Sequence, residues 1–269
     1  MTIARLVRMP DGFRWPAAAR ARMPKIDVSD FALDLARLAG ASGLVHLFDP
    51  ADYSVSSGAG SDRASGTTWS RKDAGGDGPV VSAINGKTAL SFTRGTSRRL
   101  VSSAVRPAGS FSVAMAWTIT AADAAAQPCT IMASGANSAG YNNSGQLIFT
   151  LGGDQMVCNE APGTHVGIFS YDEATREIAY VRRNGTVVNR FTSPSAAGAG
   201  DRWNIGGWFF DGNDPTMKAG RFMVFNKALH LDANLPTAAA LLNLLGAAAL
   251  SPVINSSIVA HAAAGKDDA

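Results

Sequence analysis

Between Pro79 and Lys227 the chain alternates apolar and polar residues in short runs separated by glycine and asparagine, which is the pattern of an all-β fold. The clearest run is 111–119, where Phe111, Val113, Met115, Trp117 and Ile119 alternate with Ser112, Ala114, Ala116 and Thr118. A period of two puts the large side chains on one face of a strand. The small residues opposite predict that the second face is also covered or closely approached. Further strands are expected at 44–48, at 88–94 with Leu90 and Phe92 on one face, and at 221–225, an unbroken apolar run suited to the middle of a sheet. Tight reversals punctuate them: Asn85-Gly86, Gly152-Gly153 between runs at 146–151 and 154–158, and Asn184-Gly185 within 177–191. Both central positions of a type I′ turn need positive φ, which Asn-Gly supplies. Trp203 and Ile205 begin another strand, and Gly206-Gly207 after it predicts a bulge or a close backbone approach. A polar glycine-serine loop is expected over 54–66.

At both ends the period changes. A short helix is predicted over 30–39, capped by Asp27 or Ser29, with Phe31, Leu35 and Leu38 as its stripe and Gly40 as its stop. Leu231, Leu235, Leu242 and Leu245 recur at helical spacing after His230, with Asp232 or Asn234 as caps, and the chain reads as an extended tail from Ser251. Pro10, Pro16 and Pro24 exclude one continuous helix over residues 1–27. The organisation is therefore an arm and short helix (1–43), a sandwich (44–230), and a C-terminal helix and tail (231–269), with no internal repeat.

Composition adds three points. The 269 residues are 46% hydrophobic, ample for a sizeable core, yet no run of eighteen apolar residues occurs and no spanning helix is expected. The first residues lack an apolar stretch followed by a small-residue cleavage site, so no secretory signal is read, and the two cysteines, Cys129 and Cys158, are expected as buried free thiols. The formal charge of +3 is uneven: residues 1–25 carry six basic side chains against one acidic and sum to +5. Arg5, Arg8 and Arg14 stand beside Phe13 and Trp15, and a terminus gains nothing by exposing those rings, so the arm is expected to pack on a partner. A solvated terminus is the plain alternative. Phospholipid and nucleic acid also offer negative charge, but nucleic acid is not the expected partner.

Three blocks, in order, resemble the laminin-G-like domains of the concanavalin A-like lectin/glucanase superfamily. The first is 69–100, with Asn85-Gly86-Lys87 ahead of a core strand. The second is 165–188, ending in Tyr180-Val-Arg-Arg-Asn184-Gly185. The third is 204–229, ending in Asn226-Lys-Ala-Leu229. The resemblance implies a two-sheet antiparallel jelly-roll sandwich.

No catalytic set is read, and the chain is expected not to be an enzyme. Glycoside hydrolysis needs two facing carboxylates. The only glutamates are Glu160, Glu173 and Glu177, with Glu173 and Glu177 read as solvated hairpin charges, and an Asp pair from distant loops is kept as the lesser alternative. The four histidines lie in unrelated contexts, and no Gly-x-Ser-x-Gly elbow or phosphate loop is present. No cofactor is expected except, as an alternative, Ca²⁺ on the hard oxygens of Asp211, Asn213 and Asp214, with Asp49 and Asp52 a weaker second set. The same residues are ordinary turn formers, and that reading is preferred. For glycan binding the candidates are Trp208 with Asp211 and Asn213, and Tyr141 with Asn142, against a plain reading of core aromatics and turns.

A lectin-like sandwich without a read export signal, carrying a basic and apolar arm, fits the outside of a phage or phage-like particle. The expected role is a virion structural protein of a fibre, spike or decoration. It would be held through Arg5, Arg8, Phe13, Arg14, Trp15, Leu235 and Leu242 to other virion proteins or to copies of itself, with host-surface glycan as a ligand. A bacterial carbohydrate-binding or adhesion module, at the cell surface or beyond it, is the alternative.

Overall fold

A computed structural model describes residues 43–72, 78–95, 99–126, 129–182, 185–198, 200–207 and 215–247. The strands, in chain order, are β1 (Leu44–Phe48), β2 (Ala59–Ser61), β3 (Thr68–Arg71), β4 (Val80–Ile84), β5 (Lys87–Phe92), β6 (Leu100–Val105), β7 (Phe111–Thr118), β8 (Cys129–Ser134), β9 (Asn137–Tyr141), β10 (Leu147–Leu151), β11 (Asp154–Val157), β12 (Thr164–Asp172), β13 (Glu177–Arg182), β14 (Val187–Thr192), β15 (Arg202–Ile205) and β16 (Met217–Phe225). Among the described residues two α-helices join them, α1 (Ala121–Ala125) and α2 (Leu235–Ala247), with one 3-10 turn at Pro50–Asp52. The first sheet runs β14-β13-β12-β7-β16-β5-β4, with β1 also on β16. The second runs β11-β10-β9-β8-β15-β6-β3-β2. All pairings are antiparallel, as the alternation requires of a two-sheet sandwich.

β7 shows why the sequence folds this way. Phe111, Val113, Met115 and Trp117 point between the sheets and join Trp69, Phe149, Phe169, Trp203 and Phe222 in one core. Ala114 and Ala116 point outward and meet α2, whose Ala238, Leu241, Leu242 and Leu245 pack on them and on Val166, Ile168, Val181, Met223 and Phe225. Small residues on the strand let the helix approach the sheet, so the covered second face follows from the alanines. Leu242 is therefore buried within its own chain and Leu235 packs on the same cluster, which corrects their assignment as contacts to another subunit.

The reversals behave as their residues dictate. Asn85 and Gly86 have φ of 48° and 77°, as a type I′ turn demands. A Cβ on Gly206 would enter the Phe92 ring, so this glycine marks a close approach. The 54–66 segment differs from expectation. It contains β2, an edge strand too short and too small in its residues to show alternation, and Asp62 after it is buried. Cys129 and Cys158 are buried free thiols, and burial pushes Cys129 up to about 11. The predicted 30–39 helix, the 1–27 arm and the tail from Ser251 lie outside the described residues.

Candidate functional site

Register places the 142–146 and 158–163 connections and the strand ends Arg182, Ile205 and Met217 at one end of the sandwich, beyond Thr118 and Thr164, which pair across β7 and β12. Trp208, Asp211, Asn213 and Asp214 lie outside the described residues, between Gly207 and Pro215.

The floor of this end is aromatic and buried. Trp117 donates its indole N–H to the Tyr141 hydroxyl at 3.4 Å, and that hydroxyl donates to the Ala161 carbonyl at 3.5 Å. Burial raises the Tyr141 phenol well above its ordinary pKa. Tyr141 is 1% exposed and offers no ring face to a sugar, which corrects its assignment as a platform. Asn142 is half-buried and acts as a turn former. Its Oδ1 accepts from the backbone N–H of Ser144 and Gln146, both at 3.0 Å, and its Nδ2 donates to Gln146 Oε1.

Above that floor lies a corner of planar polar groups that the sequence reading did not assemble. Arg182, at the end of β13, donates from Nε to Glu160 Oε1 at 2.8 Å. The His165 ring packs beside Trp117 with centroids 5.4 Å apart. His165 Nε2 lies 2.7 Å from the Ala161 carbonyl, and a carbonyl only accepts, so the proton sits on Nε2. That turns Nδ1 toward Glu160 Oε2, 3.8 Å away. Asn159, at a φ of 50°, is exposed and reaches Asn189 on β14 at 3.5 Å. The turn 142–146 adjoins this corner through the Leu147 N–H, which donates to the Glu160 carbonyl. The Asn159 and Gln146 amides and the Arg182 guanidinium face solvent, with the Glu160 carboxylate and the His165 imidazole half-buried behind them. Such a set pairs with vicinal hydroxyls, which both donate and accept.

No group of three or more His, Cys, Asp or Glu side chains fit to hold a metal occurs among the described residues. Asp49 and Asp52, the weaker calcium set, are ion-paired instead: Arg221 Nε lies 2.8 Å from Asp49, and Arg63 bridges to Asp49 at 3.2 Å and Asp52 at 2.5 Å. No helix of the described residues is long and apolar enough to cross a membrane. Arg5, Arg8, Phe13, Arg14 and Trp15 lie outside the described residues.

A second cluster also escaped the sequence reading. His230 Nδ1 lies 2.7 Å from Ser170 Oγ, which is 2.8 Å from Ser112 Oγ, while His230 Nε2 lies 3.0 Å from Glu177 Oε1. Glu177 also takes Arg190 at 2.7 Å and is not a free hairpin charge. Ser, His and Glu side by side invite a nucleophilic reading, but Ser112, Ser170 and His230 are all 0% exposed. No substrate reaches them, and the cluster fastens 226–230 to β7 and β12. Its one signal in the sequence is a serine in each of two apolar runs, Ser112 and Ser170, which register then sets opposite each other.

No protein-family model and no curated protein matches the chain. Solved structures match its fold. Over 78% of this chain and 34% of the other, Trypanosoma rangeli sialidase superposes with a TM-score of 0.54 at 11% identity, and it is also known in complex with sialic acid. Botulinum neurotoxin type C, whose cell entry depends on interaction with two ganglioside molecules, matches over 78% of this chain and 53% of its own with a TM-score of 0.58 at 14% identity. The binding domain of Paraclostridial mosquitocidal protein 1 matches over 75% and 52% with a TM-score of 0.56 at 9% identity. The chain spans about a third of the sialidase and about half of each toxin chain. In architecture the chain is a concanavalin A-like β-sandwich of two antiparallel sheets.

Proposed function

We propose that this chain is a non-enzymatic carbohydrate-binding sandwich that engages a glycan at the corner formed by Glu160, Arg182, His165, Asn159 and Gln146. The observation that carries the reading is a corner of planar polar side chains, Arg182 paired with Glu160 and His165 packed on Trp117, beside exposed Asn159 and Gln146 and over the buried aromatic pair Trp117 and Tyr141. A pre-set floor keeps the ordering cost of binding low. The fold is shared with proteins that engage sialic acid or gangliosides, which favours a glycan over a peptide. Glu160 is engaged by the Arg182 guanidinium rather than facing a second carboxylate, which favours binding over hydrolysis. A glycan array probed with the full chain is expected to return a defined glycan set, with Arg182→Ala weakening the best ligand at least tenfold. An empty array, wild-type binding by Arg182→Ala, or release of reducing sugar overturns the proposal.

The proposed setting is the outside of a phage or phage-like particle, with the laminin-G-like resemblance and the basic, apolar arm as its support. Removing residues 1–25 is expected to leave the sandwich folded and to abolish co-sedimentation with particles. A truncated chain that still co-sediments counts against it.

A further inference from the structure

We propose a second ligand site, separate from the rim, on the outer face of the first sheet beneath the C-terminal turns of α2: a pocket for a single-ring acidic sugar. A bulge creates it. Ala219 on β16 pairs with Trp117 and Phe222 pairs with Met115, so Gly220 and Arg221 together stand opposite Ala116. The extra residue re-aims a side chain, as bulges do beside binding sites. Here it turns Arg221 to Asp49, with Nε 2.8 Å from Oδ2.

The space left is a cavity of about 150 Å³ floored by Ala116 and Gly220, walled by Lys87 and Thr88 and roofed by Leu245. It is smaller than the roughly 300–1,000 Å³ of pockets for drug-sized ligands, and suits one ring. Gly220 keeps it open, since a Cβ there would stand 3.2 Å from the Ala116 Cβ.

The polar groups set the ligand's chemistry. Asp49 is 3% exposed and holds Arg221 and Arg63, and Arg63 also holds Asp52. Lys87 lines the same cavity beside the ion-paired Asp49 and Arg221. The Lys87 ammonium and the Thr88 hydroxyl are exposed and make no hydrogen bond or ion pair among the described residues. A neutral apolar ligand wastes these donors, and an inorganic anion wastes the apolar floor and roof. A pyranose carboxylate uses both: one ring face lies against Gly220 and the edge where Leu245 meets Ala116, the carboxylate meets Lys87, and hydroxyls meet Thr88 and the Asp49–Arg221 pair.

The test is titration of the ¹⁵N- and methyl-labelled full chain with galacturonate and, separately, galactose, followed by NMR. Galacturonate is expected to shift the Leu245 methyls and the Gly220 and Thr88 amides, with galactose at least tenfold weaker. Lys87→Met, on an exposed position, is expected to erase that preference, and Gly220→Val to block both sugars. Absence of shifts at these residues, equal binding of the two sugars, or an unchanged preference in Lys87→Met overturns the inference. Rim variants such as Arg182→Ala are expected to leave these shifts intact, so failure of the rim proposal reads out separately.

Discussion

The two ends of the sandwich carry the same polar residue types and put them to opposite uses. At the end bearing the 62–67, 173–176 and 193–201 connections, carboxylates are filled by donors of their own chain. Asp62 accepts from the backbone N–H of Leu47, Ala64 and Ser65 and from the Trp69 indole. Asp172 takes Ser110 Oγ and both the N–H and hydroxyl of Thr175, and Asp154 takes Ser193 Oγ and the Ser195 N–H. At the other end the Glu160 carboxylate is held by one side chain, Arg182, with exposed Asn159 and Gln146 nearby. Removing a carboxylate that satisfies buried backbone donors strands those donors, whereas one paired with a surface side chain is free to exchange partners. The difference supports the proposed division, with the first end architectural and the second the candidate for recognition.

The largest effect expected from that contrast is at Asp62. Asp62→Ala leaves three backbone N–H groups and an indole without their acceptor and is expected to cost about 3–5 kcal/mol in urea unfolding. Acid sharpens the point. Burial alone raises the Asp62 pKa, but the bonds from His46, the Ser65 and Leu47 N–H groups and Trp69 outweigh it and hold the carboxyl well below the usual carboxylate range. A folded pKa below the unfolded one, about 3.9, means the stabilisation is complete above that value and is lost as pH falls from there through the folded pKa. Asp62→Asn is expected to flatten the fall in stability below pH 4. Parallel curves for wild type and variant would contradict this.

Next in size is His230, also at the architectural end. Losing its bond to Ser170 is expected to cost about 1–3 kcal/mol in His230→Ala. Burial, foremost, and Arg190 lower its pKa below 6.5, against the pull of Glu177 and Asp172. The unfolded chain then binds the proton first. The stability that neutral His230 contributes is complete above pH 6.5 and declines as pH drops below it. Urea midpoints at pH 7.5 and 5.5 are expected to differ more for wild type than for His230→Gln, and equal differences would remove His230 from the account.

What was legible in the sequence and what was not follows the same physics. The 111–119 alternation revealed both the inward face and, through Ala114 and Ala116, the covering of the outward one, because period and size are local properties. Asn85-Gly86 and Gly206 were readable for the same reason: backbone geometry is written in the residue itself. Tyr141 misled. It ends β9, whose Ser138, Ala139 and Gly140 are too small to show alternation, so the stretch reads as loop and its buried ring as an exposed one. The Glu160–Arg182 pair and the His230–Ser170 pair join residues 22 and 60 positions apart, and only strand register brings them together. Leu235 and Leu242 had the right period, but a stripe does not say whether a helix covers its own sheet or a neighbour's.

The smallest expected stability effect belongs to the recognition end and completes the contrast. The Arg182 side chain is 43% exposed, and a solvent-facing ion pair contributes about 0–1 kcal/mol. Arg182→Ala and Glu160→Gln are therefore expected to leave the urea midpoint almost unchanged, and the double variant to show a coupling within about 1 kcal/mol. The same variants are expected to lose at least tenfold in glycan affinity. That dissociation is the discriminating outcome. If Arg182→Ala unfolds the sandwich as Asp62→Ala does, both ends are architectural and the rim has no claim to a ligand. If stability holds while affinity falls, the charge at this end is there to be exchanged, and the floor of Trp117 and Tyr141 is what keeps it in place between partners.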